Sequence, residues 1–205
     1  EKPEEADNSL VNSGIYVLDP EIFDTIEGLG SSSLTDAVSE LAESGEAYFE
    51  MIEDYWIDIG GPRELQKADR LKREEIESTE IAPNADVSQS ADIIGDAVVE
   101  AGAEVKEGAV IEGKCFIGED TVVGPNTVVR DSSIGNSCQV RNAEIDRSIV
   151  FEDNIFDPFV MIENCVIGEE GDFKSGSVIR ESFIGARSFV DMNNSIRGVK
   201  FVPDA

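Results

Sequence analysis

IAPNADVSQSADIIGDAVVEAGAEVKEGAVIEGKCFIGEDTVVGPNTVVR, residues 81–130, repeats its pattern every six residues. Ile81, Val87, Ile93, Val99, Val105, Ile111, Ile117, Val123 and Val129 hold the series without a slip. Two positions before each comes a small residue: Thr79, Ala85, Ala91, Ala97, Ala103, Ala109, Cys115, Thr121 and Thr127. Three positions after come Asn84, Ser90, Asp96, Gly102, Gly108, Lys114, Asp120 and Asn126, nearly all of which tolerate a tight bend or a left-handed backbone. A helix places apolar residues at three- and four-residue steps, and a half-buried strand alternates at two. A fixed period of six fits neither, so the stretch is a β-solenoid.

The period has a direct physical meaning. An aliphatic anchor points inward from a short strand, a small residue fits where the chain bends, and a turn residue redirects it. Three hexads close one triangular coil, and stacked coils pair as parallel strands about 4.7–4.9 Å apart. Each coil buries its anchors only against its neighbours. This pattern resembles the hexapeptide-repeat left-handed parallel β-helix. The left hand comes from that resemblance, since ordinary parallel crossovers are right-handed.

Beyond Arg130 the repeat continues in steps of five or six, through Ile134, Val140, Ile145 and Val150 and then from Ile167 to Ile196. At 18 residues per coil, Ile81–Ile196 predicts roughly six coils. Residues 154–162 are ambiguous. Phe151, just before this stretch, and Phe156, Phe159 and Met161 within it read either as an interface patch or as filling for a widened coil. Cys115, Cys138 and Cys165 occupy small slots and read as buried apolar residues. With no histidine and no close cysteine pair, a metal or nucleophile role for them is disfavoured.

The chain has 44 Asp plus Glu against 16 Lys plus Arg, a net charge of −28. Hydrophobic residues still make up 40%, enough for a folded interior. Such a charge repels nucleic acid and anionic membrane, so neither is an expected partner. It suggests a halophilic protein, kept soluble in concentrated salt by surface carboxylates. Without a signal peptide or an apolar membrane-spanning run, the expected location is cytoplasmic.

Residues 1–76 lack the hexad. Residues 10–18 (LVNSGIYVL), 47–52 and 55–59 read as strands. Residues 21–26 read as a short helix. Ser33-Leu34-Thr35-Asp36 matches a capping box that opens a helix ending at Gly45. Gly60-Gly61-Pro62 opens a further helix, with Leu65, Ala68 and Leu71 on one side, ending near Ile76. The alternation predicts an α/β layer, with too few strands to cover a sheet of its own.

Glu1-Lys2-Pro3, Val11-Asn12-Ser13-Gly14-Ile15-Tyr16-Val17, Leu34-Thr35-Asp36-Ala37 and Tyr55-Trp56-Ile57-Asp58-Ile59-Gly60 occur in that order. Together they resemble the second half of a sugar-1-phosphate nucleotidylyltransferase domain, and several members of that family carry a left-handed β-helix after it. The resemblance implies two domains: 1–76, the C-terminal part of a Rossmann-like nucleotidyltransferase α/β domain, and 77–205, the β-helix. It implies transfer from a nucleoside triphosphate to a sugar 1-phosphate, giving a nucleotide-sugar and pyrophosphate. The glycine-rich nucleotide loop of the family's first half is not found. The chain therefore reads as the C-terminal part of a longer enzyme, inactive by itself.

The same resemblance assigns residues. Asp58 would ligate Mg²⁺, a hard cation suited to carboxylate and phosphate oxygens; the alternative is that it simply caps the helix near Pro62. Glu1 would bind sugar hydroxyls and Lys2 the sugar phosphate, or both belong to a frayed terminus. Asn12 and Gly14 would line the sugar pocket, or form a polar bend. Trp56 reads as packing beneath the site. For the solenoid the expected role is homo-oligomer assembly and scaffolding. A non-catalytic assembly subunit of the same family is an alternative. Acyl transfer, as in many hexapeptide β-helices, is another, but it ordinarily uses a histidine base.

Overall fold

The computed structural model describes residues 11–29, 33–53 and 55–201. The chain divides into two units, 1–57 and 58–205.

In the first unit α1 (Ile22–Leu29) and α2 (Leu34–Ser44) lie in contact, with Ile22 and Ala37 buried. α2 begins where the sequence predicts. The Ser33 hydroxyl accepts the Asp36 N–H at 3.4 Å, and Gly45 ends the helix with φ 77°. The strands expected at 10–18, 47–52 and 55–59 do not form among the described residues. A strand exists only through the ladder it shares with a neighbour, and no described segment pairs with these. Their apolar side chains stay in solvent: Val17 is 98% exposed, Tyr48 93% and Phe49 84%. The α/β layer is therefore absent from the described part of this unit, which is helical with extended segments.

The second unit begins with α3 (Pro62–Glu74), capped by extended Gly61 with proline in the first turn. Short strands follow from Glu80–Ile81 to Lys200–Phe201. They form three parallel sheets of eight, seven and seven strands, in which each strand pairs with the third before and the third after it. This is the β-helix of the hexapeptide class, with about seven turns where roughly six were expected. Early partners lie 18 residues apart (Glu80↔Val98) and later ones 16 or 17 (Ser133↔Ile149, Ile149↔Val166), so the shorter coils make room for one more. The period begins near residue 79, but the compact unit begins at Asp58 because α3 belongs with the solenoid.

The anchors form the core. Val105, Ile111, Ile117, Val123, Val129 and Ile134 are each 0–1% exposed. The small slots are more than gaps. The Thr121 hydroxyl accepts the Cys138 N–H at 3.0 Å, Ser132 accepts from Ser148, Ser148 from Cys165, and the Asn154 carboxamide oxygen from Gly171. These four polar slots thus satisfy backbone N–H groups of the coil above, which a buried amide requires. The ambiguous stretch resolves the same way. Asn154 and Val160 are slots, and Phe156 and Ile162 are anchors. Phe156 stacks on Phe173 with ring centroids 4.8 Å apart, a favourable aromatic geometry. Gly171 makes this possible, since a Cβ there would lie 2.6 Å from the Phe173 ring. Of the four residues offered as an interface patch, Phe156 is therefore core, while Phe151, Phe159 and Met161 are exposed.

The corners also depart in part from the expected spacing. Gly102, Gly108, Asp120 and Asn126 take positive φ as predicted, but the third corner uses Gly95, Gly113 and Asp131 in place of Asp96 and Lys114. Strands leading into that corner, such as Asp92–Ile94 and Val110–Glu112, run one residue past the anchor, so a tighter turn must close the coil.

α3 docks on the solenoid through polar contacts. Arg73, only 9% exposed, pairs with Asp69 at 2.9 Å and donates to the Lys114 carbonyl at 2.8 Å. The Ser133 hydroxyl donates to Asp69. Ile149 and Val166 neighbour the inward anchors Val150 and Ile167 and so face outward, yet they are 8% and 1% exposed. Their sheet carries the helix.

Candidate functional site

The expected substrate residues fall in three places. Glu1 and Lys2 lie outside the described residues. Asn12 and Gly14 form a bend in the first unit. The Asn12 side-chain oxygen accepts the Gly14 N–H at 2.9 Å, and its amide donates to the Tyr16 hydroxyl. Gly14 sits at φ 77°, a conformation that favours glycine. Trp56 holds this bend, its indole N–H donating to the Ser13 carbonyl at 3.1 Å. Two motifs that are 43 residues apart are thereby joined. Trp56 itself is 45% exposed, so it positions the bend without being buried beneath it. Asn12 and Gly14 are exposed, with the Gly14 N–H and the Asn12 side chain paired within the bend.

Asp58, the first residue of the second unit, is also exposed. It precedes α3 without capping it, because Gly61 is the cap residue and makes no side-chain hydrogen bond. A carboxylate is a suitable Mg²⁺ ligand. Among the described residues, however, no group of three acidic, histidine or cysteine side chains could hold a metal ion. One carboxylate is not a complete site.

The solenoid offers no obvious base or nucleophile. There is no histidine. The three thiols are buried; burial pushes Cys138 and Cys165 up to about 11 and raises Cys115 as well. They are protonated packing residues that donate to carbonyls of their own coil, Cys138 to Phe151 at 3.1 Å.

Comparison with known proteins gives two family matches. Residues 1–75 match the family model described as nucleotidyl transferase. Residues 93–202, more than half of the chain, match the model described as GMPPB C-terminal domain. The chain belongs to the nucleotidyltransferases with a GMPPB-type C-terminal domain. Among curated relatives of this family, the low-salt glycan biosynthesis nucleotidyltransferase Agl11 of Haloferax volcanii is 37% identical over 81 residues. That match covers 37% of this chain and 23% of the relative. Mannose-1-phosphate guanyltransferase 2 of Candida glabrata is 34% identical over 65 residues, covering 32% of this chain and 18% of that protein. The matched segments thus span less than a quarter of either relative. Among solved structures, the acetyltransferase domain of PglB from Neisseria gonorrhoeae covers 80% of this chain and 88% of its own, with TM-score 0.48 and 19% identity. So distant a likeness says nothing of activity. Among the described residues, no helix is long and apolar enough to cross a membrane.

One feature escaped the motif reading altogether. α3 carries five basic residues, Arg63, Lys67, Arg70, Lys72 and Arg73, of the 16 in the whole chain. In a sequence of net charge −28 that concentration is itself a signal.

Proposed function

We propose that this chain is part of an enzyme that transfers a nucleotidyl group from a nucleoside triphosphate to a sugar 1-phosphate, releasing pyrophosphate. The observation that carries the reading is the Asn12–Gly14 bend pinned by Trp56, in a region matching the nucleotidyl transferase family. Such chemistry asks the protein mainly to position phosphates and stabilise their charge. In this reading the bend presents its amide groups to sugar hydroxyls, Glu1 and Lys2 contact the sugar and its phosphate, and Asp58 supplies one carboxylate oxygen to Mg²⁺. Bound Mg²⁺ would supply charge neutralisation at the phosphates. The β-helix would assemble a homo-oligomer, a role supported by the exposed Phe159, Phe189 and Met192. The acidic surface suits a halophilic, cytoplasmic protein.

The test is pyrophosphate release by the full-length gene product that carries this chain, over a panel of nucleoside triphosphates and sugar 1-phosphates. Release should require one specific pair, and Asp58→Asn should slow it roughly a hundred-fold or more. No release with any pair would refute the proposal and favour a non-catalytic assembly subunit.

A further inference from the structure

The search for unassigned chemistry leads to a cleft within the second unit, between α3 and the solenoid corner that carries Asp131, Arg147 and Asn164. Its volume is about 560 Å³, within the range of small-molecule sites. Six of the chain's 16 basic side chains line it, against three acidic ones. One of those acids, Asp69, is already held by Arg73 and Ser133.

The positive charge comes from both walls. α3 contributes Arg63, Lys67 and Arg70; the solenoid contributes Lys114 and Arg147. Arg147 is engaged by Asp146 at 2.8 Å and Glu163 at 3.0 Å. Lys114 donates to the Glu74 carbonyl at 3.2 Å. The side chains of Arg63 and Lys67 have no hydrogen bond or ion pair among the described residues. Arg70 has only a long pair with Glu74, 3.7 Å, on its own helix. Arg63 and Lys67 are exposed at the cleft, so their charge is open to an anion that enters it, while Lys114 across the cleft is also paired with Asp96 at 3.8 Å. Two such unpaired cations are unusual in a chain with 44 carboxylates available as partners.

We propose that this cleft binds a small molecule bearing a diphosphate. Guanidinium groups match phosphate oxygens with two parallel hydrogen bonds, and an ammonium adds a compact charge. Gln66 and Asn164, joined across the cleft at 3.4 Å, place amide groups that can donate to sugar or phosphate oxygens. Elsewhere the acidic surface repels such a ligand. Here the local balance of charge is reversed. Asp58, in the same unit, does not line the cleft. The proposal uses none of the residues of the nucleotidyl transfer reading, and it stands whether or not that reading holds.

The test is calorimetric titration of the chain with inorganic pyrophosphate and with ADP, at fixed ionic strength and without divalent cation. Pyrophosphate should bind, Arg63→Gln/Lys67→Gln should weaken it at least ten-fold, and Lys200→Gln, outside the cleft, should leave it unchanged. Tighter binding of ADP than of pyrophosphate assigns a nucleotide as the ligand; equal or weaker binding assigns free pyrophosphate. As a check that does not depend on a variant, pyrophosphate should protect Lys67 from acetylation while Lys200 stays reactive. Absence of binding, undiminished binding by the double variant, or an unprotected Lys67 overturns the proposal. Failure of nucleotidyl transfer in the full-length protein would leave these outcomes unaltered.

Discussion

The two units of this chain use apolar residues in opposite ways. In the solenoid, Ile111, Ile117, Ile134 and Ile145 are completely buried, because the partner of each short strand lies only 16–18 residues along the chain. In the first unit, Val11, Ile15, Val17, Tyr48 and Phe49 remain exposed, although their sequence has equal strand propensity. Propensity is satisfied only by a ladder. A repeat carries its own neighbour with it, whereas these isolated strands need one from elsewhere. Stability in the second unit is thus close to a sum over adjacent coils. Among the described residues, the packed structure of the first unit is its helix pair.

The largest effect should follow from cutting into the stack. Phe156→Ala removes a fully buried ring from its contact with Phe173 and should cost about 3–5 kcal/mol in denaturant unfolding of the solenoid. Val17→Ala, at a position 98% exposed, should change stability by less than about 0.5 kcal/mol. Similar losses for the two variants would mean that the first unit is packed after all.

A smaller effect separates the units by pH. The thiols of Cys138 and Cys165 ionise near 9.0 when unfolded and at about 11 when folded, because burial disfavours the thiolate. Above pH 9 the unfolded chain therefore releases protons that the folded chain keeps. This contribution is fully present below pH 9 and is lost as pH rises toward 11, by roughly 2–3 kcal/mol per thiol. Denaturant midpoints measured across that range should fall, and the Cys138→Ala/Cys165→Ala variant should flatten the slope. All three cysteines lie in the second unit, so the helix pair of the first provides the control.

How much could be read in advance follows the same division. The hexad anchors, the cysteine slots, the α2 caps and the family were legible because each depends on residues near in sequence. The register of Phe156 was obscured because its slot residue is Asn154, larger than usual. That asparagine is tolerated because its side chain bonds the Gly171 N–H and the Phe151 and Gly168 carbonyls, contacts made largely with the next coil. The shifted corner at Gly95 and Gly113 depends on strand length, which the period does not encode. The strands of residues 10–59 had the right composition, but composition cannot supply a partner. The cleft beside α3 was hidden for another reason: its charges come from residues 63 to 147 and meet only when the helix lies on the sheet. The excess of cations on α3 was visible, but where those cations point was not.

The smallest predicted effect asks whether the helix pair of the first unit behaves as a local structure. Ser33 adopts an extended backbone and its hydroxyl accepts the Asp36 N–H, satisfying one of the amides left free at a helix start. Ser33→Ala should weaken α2 by about 1 kcal/mol. Hydrogen exchange should report this as faster exchange at Asp36 and Ala37, with the solenoid amides unchanged. The confinement matters more than the size. A coil of the solenoid transmits a defect to its neighbours, because slot hydroxyls such as those of Ser132 and Ser148 serve the next coil's backbone. A cap serves only its own helix. If Ser33→Ala also loosened the amides of Ile134 or Ile167, the two units would have to unfold as one, and the contrast between them would be a property of exposure alone.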